Sequence, residues 1–258
     1  MLLELKKVTV SFGGLTAVNN LDLQVDEGMI FAIIGPNGAG KTTILNCISR
    51  FYTPCSGQIS FKGENLLTKK THKVLASGIS RSFQNVELFS KMTVLDNLLV
   101  GLHPSLKSSL LSNAFKTKKN KQEEEAAKEI AFEILELFDL KHHANEEVRN
   151  LPFGIQKMID IGRAIISKPK LLLLDEPVAG MNIEETKKNA ELITRLRDEF
   201  GITILMIEHD MSLVMNISDR IAVMDFGKKI AEGTVTEVQN NPKVIEAYLG
   251  EVQEDVGT

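Results

Sequence analysis

No stretch of this 258-residue chain approaches the roughly 20 apolar residues that a bilayer-crossing helix needs. The opening Met1-Leu2-Leu3-Glu4-Leu5-Lys6-Lys7 mixes acidic and basic side chains where a secretion signal requires a long apolar core. Cysteine is scarce. Cys47 and Cys55 have neither metal-site spacing nor company, which points to a reduced, cytoplasmic setting. Positive charge is not in excess either: 30 Lys and Arg face 34 Asp and Glu, for a net charge of −4. That balance argues against nucleic acid as the main partner, because phosphate backbones attract basic surfaces. No internal repeat is visible. What remains is ordinary for a soluble protein, with 43% hydrophobic residues and length enough for one large domain or a domain with a sub-domain.

The stretch that organises the rest is Gly35-Pro36-Asn37-Gly38-Ala39-Gly40-Lys41-Thr42-Thr43, which fits the phosphate-loop pattern G-x-x-x-x-G-K-[ST]. The apolar run Met29 to Ile34 reads as a buried parallel strand entering it, and Ile44, Leu45 and Ile48 as a helix leaving it. Glycines at 35, 38 and 40 permit backbone angles closed to other residues and let N–H groups approach phosphate oxygens. Those groups, with the positive end of the following helix, make an anion cradle. Lys41 supplies a point charge for the terminal phosphates, and the Thr42 hydroxyl suits Mg²⁺. The expectation is a nucleotide site.

Upstream, Leu3, Leu5, Val8 and Val10 alternate as a strand ending in a turn at Ser11-Phe12-Gly13-Gly14, and Leu21 to Val25 alternate as a second. Phe12 is either an aromatic placed to stack on an adenine ring or a core residue at a strand end. Gln58 to Lys62 reads as a short strand, Lys69 to Lys73 as a solvated charged face, and Ile79 to Gln84 as another strand. Residues 103–122, rich in serine and lysine, read as a mobile insertion. An amphipathic helix follows over 123–138, with Ala127, Ile130, Ile134 and Phe138 on one side. A further helix after Leu151 carries Ile155, Ile159, Gly162 and Ile166. Residues 86–166 thus form a helical sub-domain between two strands of a nucleotide core made of 1–85 and 167–258. Beyond it come a buried strand at Leu171 to Leu174 and a helix over 186–200 with Ala190, Ile193, Leu196 and Phe200 inward. A strand at Ile202 to Ile207, a hairpin turning at Phe226-Gly227 and a single last helix from Thr236 to Leu249 complete the chain.

Three more segments carry chemistry. Leu171 to Leu174 ends in Asp175-Glu176, an apolar strand delivering an acid to the metal beside the phosphate loop, with Asp175 on Mg²⁺ and Glu176 as the base or orienter of an attacking water. A solvated turn is the plainer reading of that pair. Leu151-Pro152-Phe153-Gly154-Ile155-Gln156 lies some way before that strand, and Glu208-His209-Asp210 closes the next one.

Taken together, and in this order, these segments resemble the ATP-binding subunits of ABC transporters across essentially the whole chain. The resemblance implies an α/β fold: a P-loop NTPase core with a mixed sheet, an N-terminal antiparallel β part and an inserted α-helical subdomain. It makes Phe12 the adenine-stacking aromatic, Glu176 the catalytic base and His209 the switch histidine at the terminal phosphate. Gln84 becomes the residue that contacts Mg²⁺ and water. Residues Leu151 to Gln156 become the signature that faces ATP held by a second subunit, identical or homologous.

Closer likeness is to the ATPases of branched-chain amino-acid importers, through Phe83 to Phe89, Met92 to Leu98, Glu176 to Asn182, Ile207 to Met211 and Asn241 to Gly250. Permease subunits are then expected near Gln84 to Leu99, against Val86, Leu88, Phe89 and Met92, unless that cluster is ordinary core. The chain would sit on the cytoplasmic face of the cell membrane, with a solute-binding protein acting indirectly. Pro152 stands where the family commonly has serine, which suits the first turn of a helix but forgoes a hydrogen bond. Asn182 replaces a common aspartate and is expected to bond across the dimer without its charge. Other cargo (urea, amides, exported lipopolysaccharide), a poorly hydrolysing clamp and a soluble ABC ATPase are the rival readings.

Overall fold

The computed structural model describes residues 1–82, 86–102 and 118–254, and of 118–121 and 249–254 only the backbone. Two sheets organise it. The first is antiparallel, with strands in the order β2 (Leu15–Val25), β1 (Leu3–Phe12), β4 (Ser56–Phe61) and β5 (Glu64–Asn65). The second has six strands: β10 (Lys228–Gly233), β9 (Arg220–Asp225), β3 (Ile30–Ile34), β8 (Thr203–Ile207), β7 (Leu171–Asp175) and β6 (Ile79–Arg81). Five of these run parallel and β10 runs antiparallel at one edge, so the sheet is mixed as expected.

Strand β3 is apolar on both sides because both sides of the sheet are covered. Ile30, Ala32 and Ile34 join one apolar cluster, and Phe31 and Ile33 the other. Strand β7 divides likewise, Leu172 and Leu174 from Leu171 and Leu173. The register then sets the site. Ile33 lies beside Ile207, and Ile207 beside Asp175, so β3, β8 and β7 end in one row. Ligands of open parallel sheets bind at such carboxyl ends.

Helix α1 (Lys41–Ile48) leaves β3, and α2 (Thr71–Ala76) precedes β6. Between β6 and β7 the described chain is built of helices and turns: α3 (Val94–Leu102), α4 (Lys118–Leu137) and α5 (Phe153–Ile165). Their apolar faces belong to the same cluster as Ile30 and Leu172. Helices α3 and α5 touch backbone to backbone: a Cβ on Gly101 would lie 2.3 Å from the Arg163 carbonyl oxygen. After β7 come α6 (Ile183–Asp198), α7 (Met211–Ile217), α8 (Val235–Gln239) and α9 (Pro242–Glu254).

Several sequence expectations shift. Strand β2 starts at Leu15, well before Leu21, because pairing with β1 extends it to the turn. The solvated stretch 69–73 contains the start of α2. Helix α4 begins at Lys118, inside the presumed insertion, whose residues 103–117 lie outside the described residues. Strand β6 stops at Arg81 instead of Gln84. Phe200 is 52% exposed, not inward, because α6 has ended at Asp198 and the helical period no longer applies. Short β5 and α7 had no expectation. The last helix is two helices, since Pro242 can start a helix but not sit inside one.

Candidate functional site

The 35–43 loop turns on its glycines for two different reasons. At Gly35 and Gly40 the backbone is packed so tightly that a Cβ would meet the Met224 and Ala17 carbonyl oxygens at 2.0 and 2.2 Å. Both also have positive φ, 142° and 94°. Gly38, at φ 78°, faces open space. Helix α1 starts at Gly40 with no side-chain cap and no acidic residue in its first turn, so its first N–H groups point into the loop. Lys41 is buried, with Nζ donating to the Gly35 and Pro36 carbonyls at 2.5 and 2.8 Å. Ala39 is buried, Asn37 and Thr42 are exposed, and Pro36 and Thr43 are half-buried.

Phe12 ends β1 and is 45% exposed, which removes the core reading. Its ring meets Tyr52 edge to face, centroids 5.0 Å apart and planes at 71°.

At the end of β7, Asp175 is buried and pairs through Oδ2 with Arg81 Nη2 at 2.8 Å. Burial pushes its pKa up, against the pull of Arg81. Its Oδ1 is buried and makes no hydrogen bond. Glu176 follows with left-handed backbone, φ 50°, a strained choice for glutamate. Its N–H donates to the Ile207 carbonyl at 2.9 Å, and its carbonyl accepts from Lys157 Nζ at 2.6 Å and Ala179 N at 3.2 Å. His209, largely exposed, places Nδ1 3.8 Å from Glu176 Oε1 and 3.4 Å from Glu208 Oε1. Glu208 is fully buried and accepts from His209 N, Asp210 N and Val178 N, clipping the loops after β7 and β8 together.

Leu151 to Gln156 opens α5. Pro152 is the N-cap, not part of the first turn, and no side chain caps this helix. Phe153 is 47% exposed, and its ring would lie 3.3 Å from a Cβ on Gly180. Leu151 and Gly154 are buried, Ile155 is half-buried, and Gln156 Nε2 donates back to the Leu151 carbonyl at 2.8 Å. Asn182 caps its own helix α6: Oδ1 accepts from Glu185 N at 3.0 Å, and Glu185 Oε2 accepts from Asn182 N at 2.9 Å. The oxygen expected to reach across a dimer is therefore engaged at home.

Gln84 lies outside the described residues. Of the apolar cluster after it, Leu88 packs on the core while Phe89 is 53% exposed. Phe89 is held by the buried Asn97, which accepts from Phe89 N and donates to the Phe89 and Thr93 carbonyls.

Within one chain, then, the ends of β3, β7 and β8 gather Lys41, Asp175, Glu176 and His209 at one edge. Sequence reasoning gave no role to Arg81, Lys157 or Glu208. Only Glu208 carried a local signal, as a carboxylate closing an apolar strand. The donors fit a magnesium nucleotide: an uncapped helix start behind open Gly38, a buried lysine, and hard oxygens from Thr42 and the unbonded Asp175 Oδ1.

Comparison with known proteins points to a nucleotide-binding chain. The family profile described as "ABC transporter" matches residues 18–179, and "Branched-chain amino acid ATP-binding cassette transporter" matches 228–254. The chain is 45% identical over 250 residues to the high-affinity branched-chain amino acid transport ATP-binding protein BraF of Pseudomonas aeruginosa, covering 97% of this chain and 98% of that protein. LivG of Escherichia coli, with the same description, is also 45% identical, at the same coverage. A crystal structure of the ADP conformation of an ATP-binding cassette of an ABC transporter superposes with a TM-score of 0.84 at 35% identity, covering 96% of this chain and 98% of that one.

Proposed function

From the premise that this chain belongs to the ATP-binding subunits of ABC transporters, in the branched-chain amino-acid group, we propose that it hydrolyses ATP to power uptake of branched-chain amino acids through a membrane permease. One observation carries the reading. Phosphate loop, acidic pair and histidine come from three sequence-distant segments and meet at the ends of adjacent parallel strands.

Each residue then has a task. The N–H groups from Gly38 to Thr42 hold the phosphates, and Lys41 leaves its two carbonyls to pair with the terminal ones. Phe12, steadied edge-on by Tyr52, offers a face to the base. Thr42, Asp175 and Gln84 would hold Mg²⁺, which would supply positive charge against that developing on the transferred phosphate. Glu176 draws the proton from the attacking water, and His209, on the same rim, donates to the terminal phosphate. The 1–85 and 167–258 segments serve this core, and 86–166 carries the helical part.

The working unit is a pair, this chain with a copy of itself or a homologous ATPase. Pro152 to Gly154, at an uncapped helix tip with Phe153 outward, close over ATP on the facing subunit. Permease subunits dock near Gln84 to Leu99, where Phe89 is presented by Asn97. This puts the chain on the cytoplasmic face of the membrane, with a solute-binding protein delivering cargo outside.

Lys41→Ala is expected to abolish nucleotide binding in a fluorescent-nucleotide titration; retained affinity would place the site elsewhere. Glu176→Gln should cut turnover on the order of 100-fold or more and trap an ATP-dependent dimer on a sizing column. Purification from native membranes should bring down a permease, whose transport assay identifies the cargo.

A further inference from the structure

Lys157 is an odd tenant of a protein interior. It is 4% exposed, on the inner side of α5, just past the segment that opens the helix. Burial pulls its pKa down, while Glu208 and Glu176 pull it back up. Its ammonium does not travel to a surface partner. It donates to the backbone carbonyl of Glu176 at 2.6 Å and stands 5.6 Å from the centroid of the Phe153 ring.

The carbonyl it holds belongs to a residue with little conformational latitude. Glu176 has φ 50°, a left-handed conformation that a non-glycine residue seldom adopts. Its N–H is fixed by Ile207, so the remaining freedom lies in the peptide that follows, and that peptide is the one Lys157 grips. Moving the lysine shifts this peptide, which the Ala179 N–H also holds, and the backbone under the Glu176 side chain has to follow. The other end of the lysine is a helix. Roughly one turn separates it from Phe153 at the exposed tip, and the Phe153 ring rests on Gly180, in the same segment that Glu176 begins. The tip of α5 therefore touches the acidic segment twice, once through a ring and once through an ion.

We propose that Lys157 is a positioning residue that links the two ATP sites of the pair, transmitting engagement of the α5 tip by a neighbour's nucleotide to the backbone of Glu176, which serves the chain's own nucleotide. This rests on the two-subunit reading above. Filling one site sets the base of the other, so turnover is cooperative in ATP.

The test uses the full chain, alone and in its membrane complex, comparing wild type, Lys157→Met and Lys157→Arg. Methionine fills a similar volume and removes a desolvated charge, so the variant should fold with an unchanged melting temperature. Expected for Lys157→Met is a fall in kcat of about 10–100-fold at unchanged KM, with the Hill coefficient for ATP dropping to about 1. Lys157→Arg, which can still reach the carbonyl, should recover most of both. A Lys157→Met protein that keeps wild-type kcat and cooperativity overturns the link. So does a wild type without cooperativity, a Lys157→Arg no better than methionine, or a Lys157→Met that loses nucleotide affinity together with turnover. Glu176→Gln with ATP is run alongside. No dimer there removes the two-subunit reading and the link with it, whereas a dimer with an indifferent Lys157→Met removes the link alone.

Discussion

Glu208 is fully buried beside the chemistry and accepts three backbone N–H groups from two different loops. Its burial raises the pKa above the ordinary glutamate value, and the three donors only partly offset that. The folded chain therefore holds this proton more tightly than the unfolded one. The stability it contributes is complete below about pH 4 and is lost as pH climbs through the raised value. Glu208→Gln removes the dependence, so the stability advantage of wild type over the variant, from urea melts, should shrink as pH rises above about 4. The variant should also lose turnover on the order of 10-fold, because an amide cannot accept every bond that holds the Glu176 and His209 loops together. Among single residues, those whose work is local were legible in the sequence. Nine consecutive residues specify a phosphate cradle, and an apolar strand ending in Asp-Glu specifies where an acid is delivered. Arg81 and Lys157 were not legible, because their roles depend on β6 lying beside β7 and α5 lying behind it.

Elements with strong periodicity were also readable: β1, β3, β7, β8, the β9–β10 hairpin and the buried stripe of α4. Their boundaries were less so, since tertiary pairing lengthened β2 and Pro242 divided the last helix. Helix α5, which we propose closes over a facing nucleotide, starts without a side-chain cap. Pro152→Ser supplies one and should stabilise the protein by about 0.5–1 kcal/mol in urea melts. It should also raise turnover if the hydroxyl reaches the facing phosphate. The contact of α3 with α5 has no such slack. Gly101→Ala would press a methyl onto the Arg163 carbonyl and Ile166 Cγ2, at 2.3 and 2.7 Å. The two helices would have to separate, at a cost of about 1–3 kcal/mol, visible as an earlier thermal transition.

For the molecule as a whole, alternate residues of each inner strand supply two different apolar clusters, one shared with α3 to α6 and the C-terminal helices, the other with the antiparallel sheet, α1 and α2. Deleting one of Leu171 to Leu174 would swap every later side chain of β7 between clusters and turn Asp175 and Glu176 away from the row they share with Ile207. Such a deletion is expected to lose soluble expression and nucleotide binding together, whereas Leu173→Val should lose only part of its stability. The rims of the same sheet have another consequence. One is β6, three residues long, and the other is β10, which opens with Lys228-Lys229. Neither rim is a good template for a stranger's backbone. The inner strands of this sheet, apolar on both faces, are therefore flanked by edges that offer little backbone for another chain to extend.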